Sequence, residues 1–233
     1  MTAIGPDPGP EAAAGLEPVV RESTPALIAR ALRRAISDGT FPPGAQLGEA
    51  ALARSLGVSR GPLREAMQRL TQEGLLVSHR NRGLFVPDLS AEAVEDMYLL
   101  RTTVETAALD RVLALGWGVD TADALDAAVA AMASLADEPR SEAMVEADLD
   151  FHHVLVEAAR SPRLSRVHET VLVETSMCLH AMRGTYSDAE SRLAEHRAIA
   201  DAVRAGDPDR ARELLVDHMR DGLARVREGG GDR

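Results

Sequence analysis

Asp148 and His152 stand four residues apart, which on a helix puts them on one face about 6 Å apart along the axis. A carboxylate and an imidazole at that spacing can hold one divalent metal; they can equally be a carboxylate orienting a surface histidine. His196 and His218 fall in two later segments of helical, partly apolar pattern. Taken singly, neither is diagnostic, and a buried, hydrogen-bonded core histidine is the more frequent explanation. His153 sits 100° around the helix from His152 and points off that face, and His168 and His180 have no matching partner pattern, which makes them ordinary surface or core residues. A second set has a different chemistry. Arg60, Arg64 and Gln68 are also spaced by four, beside an apolar stripe formed by Leu63, Ala66, Met67 and Leu70. Arginine can bridge guanine N7 and O6, glutamine can pair with adenine, and both can hold phosphate. The plainer alternative is a solvated face next to Glu65. Arg80 and Arg82 flank a polar tip ending in Gly83, where an arginine can enter a minor groove or clamp a phosphate.

The elements that must position these groups follow from pattern and punctuation. Residues 1–22 are rich in Pro, Gly and Ala without periodicity and read as a disordered tail. Thr24-Pro25 reads as an N-cap with proline at the first helical position, followed by Leu27, Ile28, Ala31, Leu32, Ala35 and Ile36 at helical spacing. Gly39 and Phe41-Pro42-Pro43-Gly44 end that helix. A short helix from Glu49 to Leu56 stops at Gly57; Ser59 caps the next, with Gly74 just past its end. Leu75 to Ser78 and Leu84 to Pro87 read as two short strands. Three helices and a hairpin in this order predict a winged helix-turn-helix over residues 23–88. Residues 89–228 then read as six helices with short connections: from Ser90 to about Leu115, Thr121 to Ala136, Ser141 to Arg160, Ser161-Pro162 to near Gly184, a capping box Ser187-Asp188-Ala189-Glu190 to Ala205, and Asp207-Pro208 to Glu228. Residues 229–233 form a flexible tail. The fold class is mainly α: a winged helix-turn-helix followed by an all-α bundle.

Composition agrees. Apolar residues make up 45% and aromatics 3%, favouring helices packed by aliphatic side chains over a β-sandwich. The single cysteine, Cys178, excludes a disulfide framework and a Cys-rich zinc module. No uncharged apolar run approaches the roughly 20 residues of a membrane helix. Residues 1–15 lack the basic and apolar regions of a secretory signal, so the expected location is the cytoplasm, with no membrane partner. The net charge of −11 conceals a division: residues 24–87 carry nine Arg and four acids, net +5, whereas residues 88–233 carry sixteen Arg and twenty-nine acids, net −13. Such asymmetry suggests nucleic acid as the partner of the basic part.

The segment PPGAQLGEAALARSLGVSRGPLREAMQRLTQEGLL followed by NRGLFV resembles the DNA-binding domain of GntR-type bacterial transcription regulators over about residues 24–87. The resemblance implies that Ser59, Arg60, Gly61 and Arg64 face operator DNA in the major groove, with Gln68 on the same helix face and Arg82-Gly83 at the wing. Two departures stand out: Gly48 replaces a usual helix-capping Ser, and Ala50 replaces an Arg that some members use on DNA. ADLDFHHVLVEAA, AEHRAIADAVRAGD and LLVDHMRDGL resemble the FCD domain, the helical effector-binding half of the FadR branch of these regulators, over about residues 93–225. Many FCD domains hold a divalent metal with an Asp-His-His-His set, which here implies Asp148, His152, His196 and His218. Three imidazoles and one carboxylate suit zinc or nickel, with remaining positions open to water or a ligand carboxylate. Arg101, with Glu105 one turn later, matches a family Arg that lines the effector cavity; a structural ion pair between the two is the competing reading. Arg160-Ser161 departs from the family's usual Gly-Asn on the pocket side.

The expected function is a homodimeric, ligand-responsive transcription regulator, a repressor of a palindromic operator, whose DNA affinity is controlled by a small organic acid bound at the metal site. Motion is expected to pass through the linker near Pro87 to Ser90. A metal-dependent enzyme using the same Asp/His set is the alternative, disfavoured by the basic head and by the lack of a nucleophile–base motif. A nonspecific DNA-packaging protein accounts for the head but not for the acidic bundle.

Overall fold

The computed structural model describes residues 22–139, 141–181 and 189–230. The first unit is built from α1 (Thr24–Ser37), β1 (Gln46–Leu47), α2 (Glu49–Ser55), α3 (Arg60–Gln72), β2 (Val77–His79) and β3 (Gly83–Phe85). Ser23, not Thr24, caps α1: its Oγ accepts a hydrogen bond from Ala26 N at 3.3 Å. Thr24 is therefore the first helical residue, and proline follows it where its missing N–H costs nothing. The buried face is Ile28, Ala29, Leu32 and Ile36, while Leu27 is 47% exposed. Ser59 occupies the N-cap position of α3 with extended backbone, but its hydroxyl makes no capping bond among the described residues.

Strands β2 and β3 pair antiparallel with Val77 opposite Phe85 and His79 opposite Gly83. Both start later or end earlier than the sequence pattern suggests, because Leu75, Leu76 and Val86 are pulled into the core instead. Gly83 has φ +97°, a backbone state that glycine adopts without steric cost, and Asn81 at φ +62° shares the tip. β1 joins on the other side of β3, giving the order β1-β3-β2. At two residues it is too short to show alternation in sequence. Leu63, Met67 and Leu70 of α3 pack with Ile28, Leu32 and Ile36 of α1 to fill this unit's core.

The second unit is a bundle of α4 (Ala91–Ala114), α5 (Gly118–Ala133), α6 (Glu142–Ala158), α7 (Pro162–Ala181), α8 (Ala189–Ala205) and α9 (Pro208–Gly230). Ser90 and Ser141 cap α4 and α6 by accepting from Ala93 N and Met144 N. α5 begins at Gly118, three residues before the expected start. There, an added Cβ would sit 2.6 Å from the Val203 carbonyl oxygen of α8, so only glycine lets these helices approach so closely. The capping-box residues Ser187 and Asp188, the helix end near Gly184, and the tails over 1–21 and 231–233 lie outside the described residues. Among those described, no helix is long and apolar enough to cross a membrane.

α4 lies against α6, α7 and α9, and α5 lies against α6 and α8. Phe151, Met144, Leu109, Leu125, Met132 and Ile199 occupy the centre. The DNA-side unit rests on the bundle where α1 meets α7; Met177 of α7 is part of its core, and Ser176 Oγ donates to Ser37 O at 3.1 Å.

Candidate metal and effector centre, and the DNA-reading face

Charges are expensive to bury unless paired, yet Arg101, Glu105, Asp148, His152, His168, Arg192, His196 and His218 are all buried in the bundle. They come from five helices. α6 supplies Asp148 and His152, α8 supplies Arg192 and His196, α9 supplies His218, α4 supplies Arg101 and Glu105, and α7 supplies His168.

His152, His196 and His218 form a cluster in which each ring is oriented through Nδ1. His152 Nδ1 donates to Glu105 Oε2 at 2.7 Å, His218 Nδ1 to Glu195 Oε2 at 2.7 Å, and His196 Nδ1 to the Arg192 carbonyl at 2.8 Å. These acceptors assign the protons to Nδ1 and leave a lone pair on each Nε2. His152 Nε2 and His218 Nε2 are 3.2 Å apart, and one ligand nitrogen from each of the three rings lies within 4.8 Å of the others. His196 Nε2 is buried with no hydrogen-bond partner among the described residues. His152 Nε2 and His218 Nε2 lie within hydrogen-bond distance of each other, and a cation shared by all three rings would also give His196 Nε2 the partner it lacks. The 3.2 Å separation is close to the roughly 3.4 Å between two nitrogens on one tetrahedral zinc with bonds of about 2.0–2.1 Å. The donor set therefore fits a divalent metal.

Electrostatics point the same way. Burial pushes His152 down to about 4 and His196, which also faces His218, down to about 3, so both rings are neutral near pH 7 and ready to ligate. Burial opposes ionisation of Asp148, but its neighbours His196 and Arg192 outweigh that and bring it down to about 2. Its Oδ1 is 3.7 Å from both His196 Nε2 and Arg192 Nη1, beside the three-ring cluster rather than within it. Phe151 packs edge-on against His152 and His196 with ring centres 5.4 and 4.5 Å away, which gives that side of the centre an apolar wall.

Glu105 is fully buried and ionised. Burial opposes its charge, but His152 and Arg101 hold its carboxyl well below the usual range. Arg101 Nε donates to Oε1 at 2.8 Å and His168 Nε2 donates to the same oxygen at 3.0 Å. His168 is thus no ordinary core residue without a partner. The available signal was its place on the interior face Leu164, His168, Val171, Thr175 and Cys178, where an imidazole must find an acceptor. Glu195 is a carboxylate that composition and spacing do not point to. Burial opposes its ionisation, but His218 and Arg225 bring it down to about 2. His180 bonds to Ser176 on its own helix, and among the described residues to nothing further.

An enclosed cavity of about 10 Å³ touches the centre, walled by Tyr98, Arg101, Asp148, Arg192, His218 and Arg225 among others. Arg101 Nη2, buried beside it, has no hydrogen-bond partner among the described residues. Glu105 is absent from the wall, because its oxygens are taken by Arg101, His152 and His168. It faces the rings and not the cavity, and the Arg101–Glu105 ion pair exists alongside Arg101's place in the wall.

Thirteen residues of α3 present the other site. Ser59, Arg60, Gly61, Arg64 and Gln68 are exposed along one side while Leu63, Ala66, Met67 and Leu70 are buried on the other. Arg64 Nε donates to Glu49 Oε2 of α2 at 2.7 Å, a pre-set geometry in a solvent-exposed pair. Arg82 and Gly83 are exposed at the hairpin tip, with the Arg82 guanidinium 5.3 Å from the Phe85 ring centre.

A winged head with an outward arginine face, joined to a helical bundle with a buried polar centre, defines a DNA-binding transcription regulator. Residues 26–86 match the bacterial regulatory proteins of the gntR family, and residues 96–221 match the FCD domain. The chain belongs to the GntR family, with a C-terminal FCD domain. It is 31% identical to an uncharacterized HTH-type transcriptional regulator of Mycobacterium tuberculosis over 93% of this chain and 95% of that protein. It is 30% identical to a probable D-xylose utilization operon transcriptional repressor of Paenarthrobacter nicotinovorans, covering 79% of this chain and 80% of the other. A crystal structure titled as a putative GntR transcriptional regulator from Rhodococcus sp. RHA1 superposes with a TM-score of 0.74 at 30% identity, covering 91% of this chain and all of that one. The family and these relatives are transcriptional regulators, not enzymes.

Proposed function

We propose that this regulator binds one divalent metal, zinc or nickel, through His152, His196 and His218 with Asp148 beside them, and that a small organic anion bound there controls its affinity for operator DNA. The observation that carries this reading is the convergence of three imidazole Nε2 atoms in a buried core, next to an arginine-walled cavity. A metal held there would supply a Lewis-acid site for a ligand carboxylate. The chain's own residues do the rest. Glu105, Glu195 and the Arg192 carbonyl fix the ring orientations, and Arg101, whose Nη2 is uncommitted, pairs with the anion. The cavity has room for about one water, so a carboxylate larger than that enters only as the wall opens. This supports a change of shape on binding, the differential affinity that regulation needs.

On the DNA side Ser59, Arg60, Gly61, Arg64 and Gln68 read the major groove, and Arg82 with Gly83 touches the wing-side groove or phosphates. The chain works in the cytoplasm as a homodimer on a two-fold operator, and as a repressor, the sense given by the name of the Paenarthrobacter relative. The domain division at residues 23–88 and 89–228 goes with this reading. Metal analysis tests it: purified protein, dialysed against buffer, retains about one equivalent of zinc or nickel, and His196→Ala retains none. Equal metal content in the two proteins overturns the ligand assignment.

A further inference from the structure

We propose that α7 is the link between the buried centre and the DNA-reading head, with His168 as the positioning residue at one end and Ser176 and Met177 at the other. The inference rests on the metal-site reading above and names the route by which that site acts. His168 shares Glu105 Oε1 with Arg101, at 3.0 and 2.8 Å, while Glu105 Oε2 holds the metal ligand His152 at 2.7 Å. An anion that draws Arg101 toward itself therefore changes the competition for the same oxygen that holds His168. His152, on holding a metal, would move the same carboxylate through its other oxygen.

His168 passes that change to a stiff element. Ser176 lies eight residues further along α7, about 12 Å at 1.5 Å per residue, with no proline or glycine between. There the helix is part of the head. Met177, 3% exposed, belongs to the same core as Leu32, Leu70 and Leu75, Val173 packs against it, and Ser176 Oγ donates to the last carbonyl of α1 at Ser37. A cavity of about 60 Å³ lies at this junction, between Leu75, Pro87 and Leu89 on one side and Glu174, Met177 and Cys178 on the other. Close-packed interiors leave few such gaps, and this one gives α7 room to shift against the head. The linker at Pro87–Ser90, which enters α4, walls the same cavity, so α7 and the linker meet at this junction.

The test uses the full chain and a DNA duplex selected by it from a random-sequence pool, with zinc as the probe. Operator dissociation constants are measured with zinc and with chelator, and bound zinc is counted in each variant. Coupled sites show ratios of roughly 5–150. His168→Leu and Ser176→Ala each keep wild-type zinc stoichiometry and lower this ratio by about 2–30-fold, the span over which single residues on a coupling route act. His168→Gln, which retains an N–H donor, lies nearer wild type than His168→Leu. Ser176→Ala, far from the centre and mild in volume, guards against a His168 variant that fails to fold. Both variants keeping the wild-type ratio overturns the α7 route while leaving the metal reading intact. Wild-type protein that holds no zinc overturns the metal reading and the route with it.

Discussion

The two halves of this molecule use the same residue types in opposite ways. In the head, Arg60, Arg64 and Arg82 stand in solvent, where an ion pair such as Arg64–Glu49 contributes about 0–1 kcal/mol and is easily exchanged for a phosphate or a base. In the bundle, Arg101 and Glu105 are 3% and 0% exposed, and each charge is tolerated only because its neighbours are in place. Exposed charge is cheap and replaceable, which suits a reading surface. Buried charge makes a network in which altering one member disturbs all the others, which suits a sensor.

That contrast can be broken first where it is strongest. Glu105→Ala leaves Arg101, His152 and His168 without their shared acceptor, and a stability loss of about 3–5 kcal/mol in denaturant unfolding is expected. A loss under about 1 kcal/mol contradicts the network. In the head, Arg64→Ala leaves stability nearly unchanged but weakens operator binding by about 1–3 kcal/mol in anisotropy titrations, with relaxed base preference. Equal weakening on random DNA removes its reading role.

Acid separates the two halves as well. His152 and His196 titrate near 6.5 when unfolded but at about 4 and about 3 when buried, so between those values the unfolded chain binds more protons. Their contribution to stability is complete above pH 6.5 and is lost as pH falls toward 4 and 3. Metal-free protein therefore unfolds at lower denaturant as pH drops from 6.5 to 4. His152→Asn and His196→Asn flatten that slope; an unchanged slope in both contradicts the assignment. The smallest effect belongs to the head: Gly48→Ser restores a side-chain cap to α2, raising stability by a few tenths of a kcal/mol.

How much of this was legible in the sequence follows from the range of the contacts. The apolar face of α3, the wing with Gly83, and the shared helix face of Asp148 and His152 are one-helix or one-turn features, and their spacing is visible in the chain. The convergence of His196 and His218 on His152 was reached through family resemblance, because nothing local says that three helices meet there. Glu195 as the partner of His218 and His168 as a partner of Glu105 were not legible: the latter two residues are 63 apart, and only packing brings them together. Glu105 was seen beside Arg101, one turn away, but its turn toward the imidazoles depends on α6 and α7. The short β1 and the Ser23 cap were missed for a local reason. Two residues carry no alternation, and adjacent Ser and Thr are equally good capping residues ahead of proline.

The central claim is that the buried centre governs the exposed face. It is tested most directly by operator affinity of the full chain, loaded with zinc or stripped by chelator, alongside His196→Ala treated identically. The account predicts at least about a fivefold difference between the two states of the wild type and none in the variant. A wild type that binds its operator equally tightly in both states contradicts it.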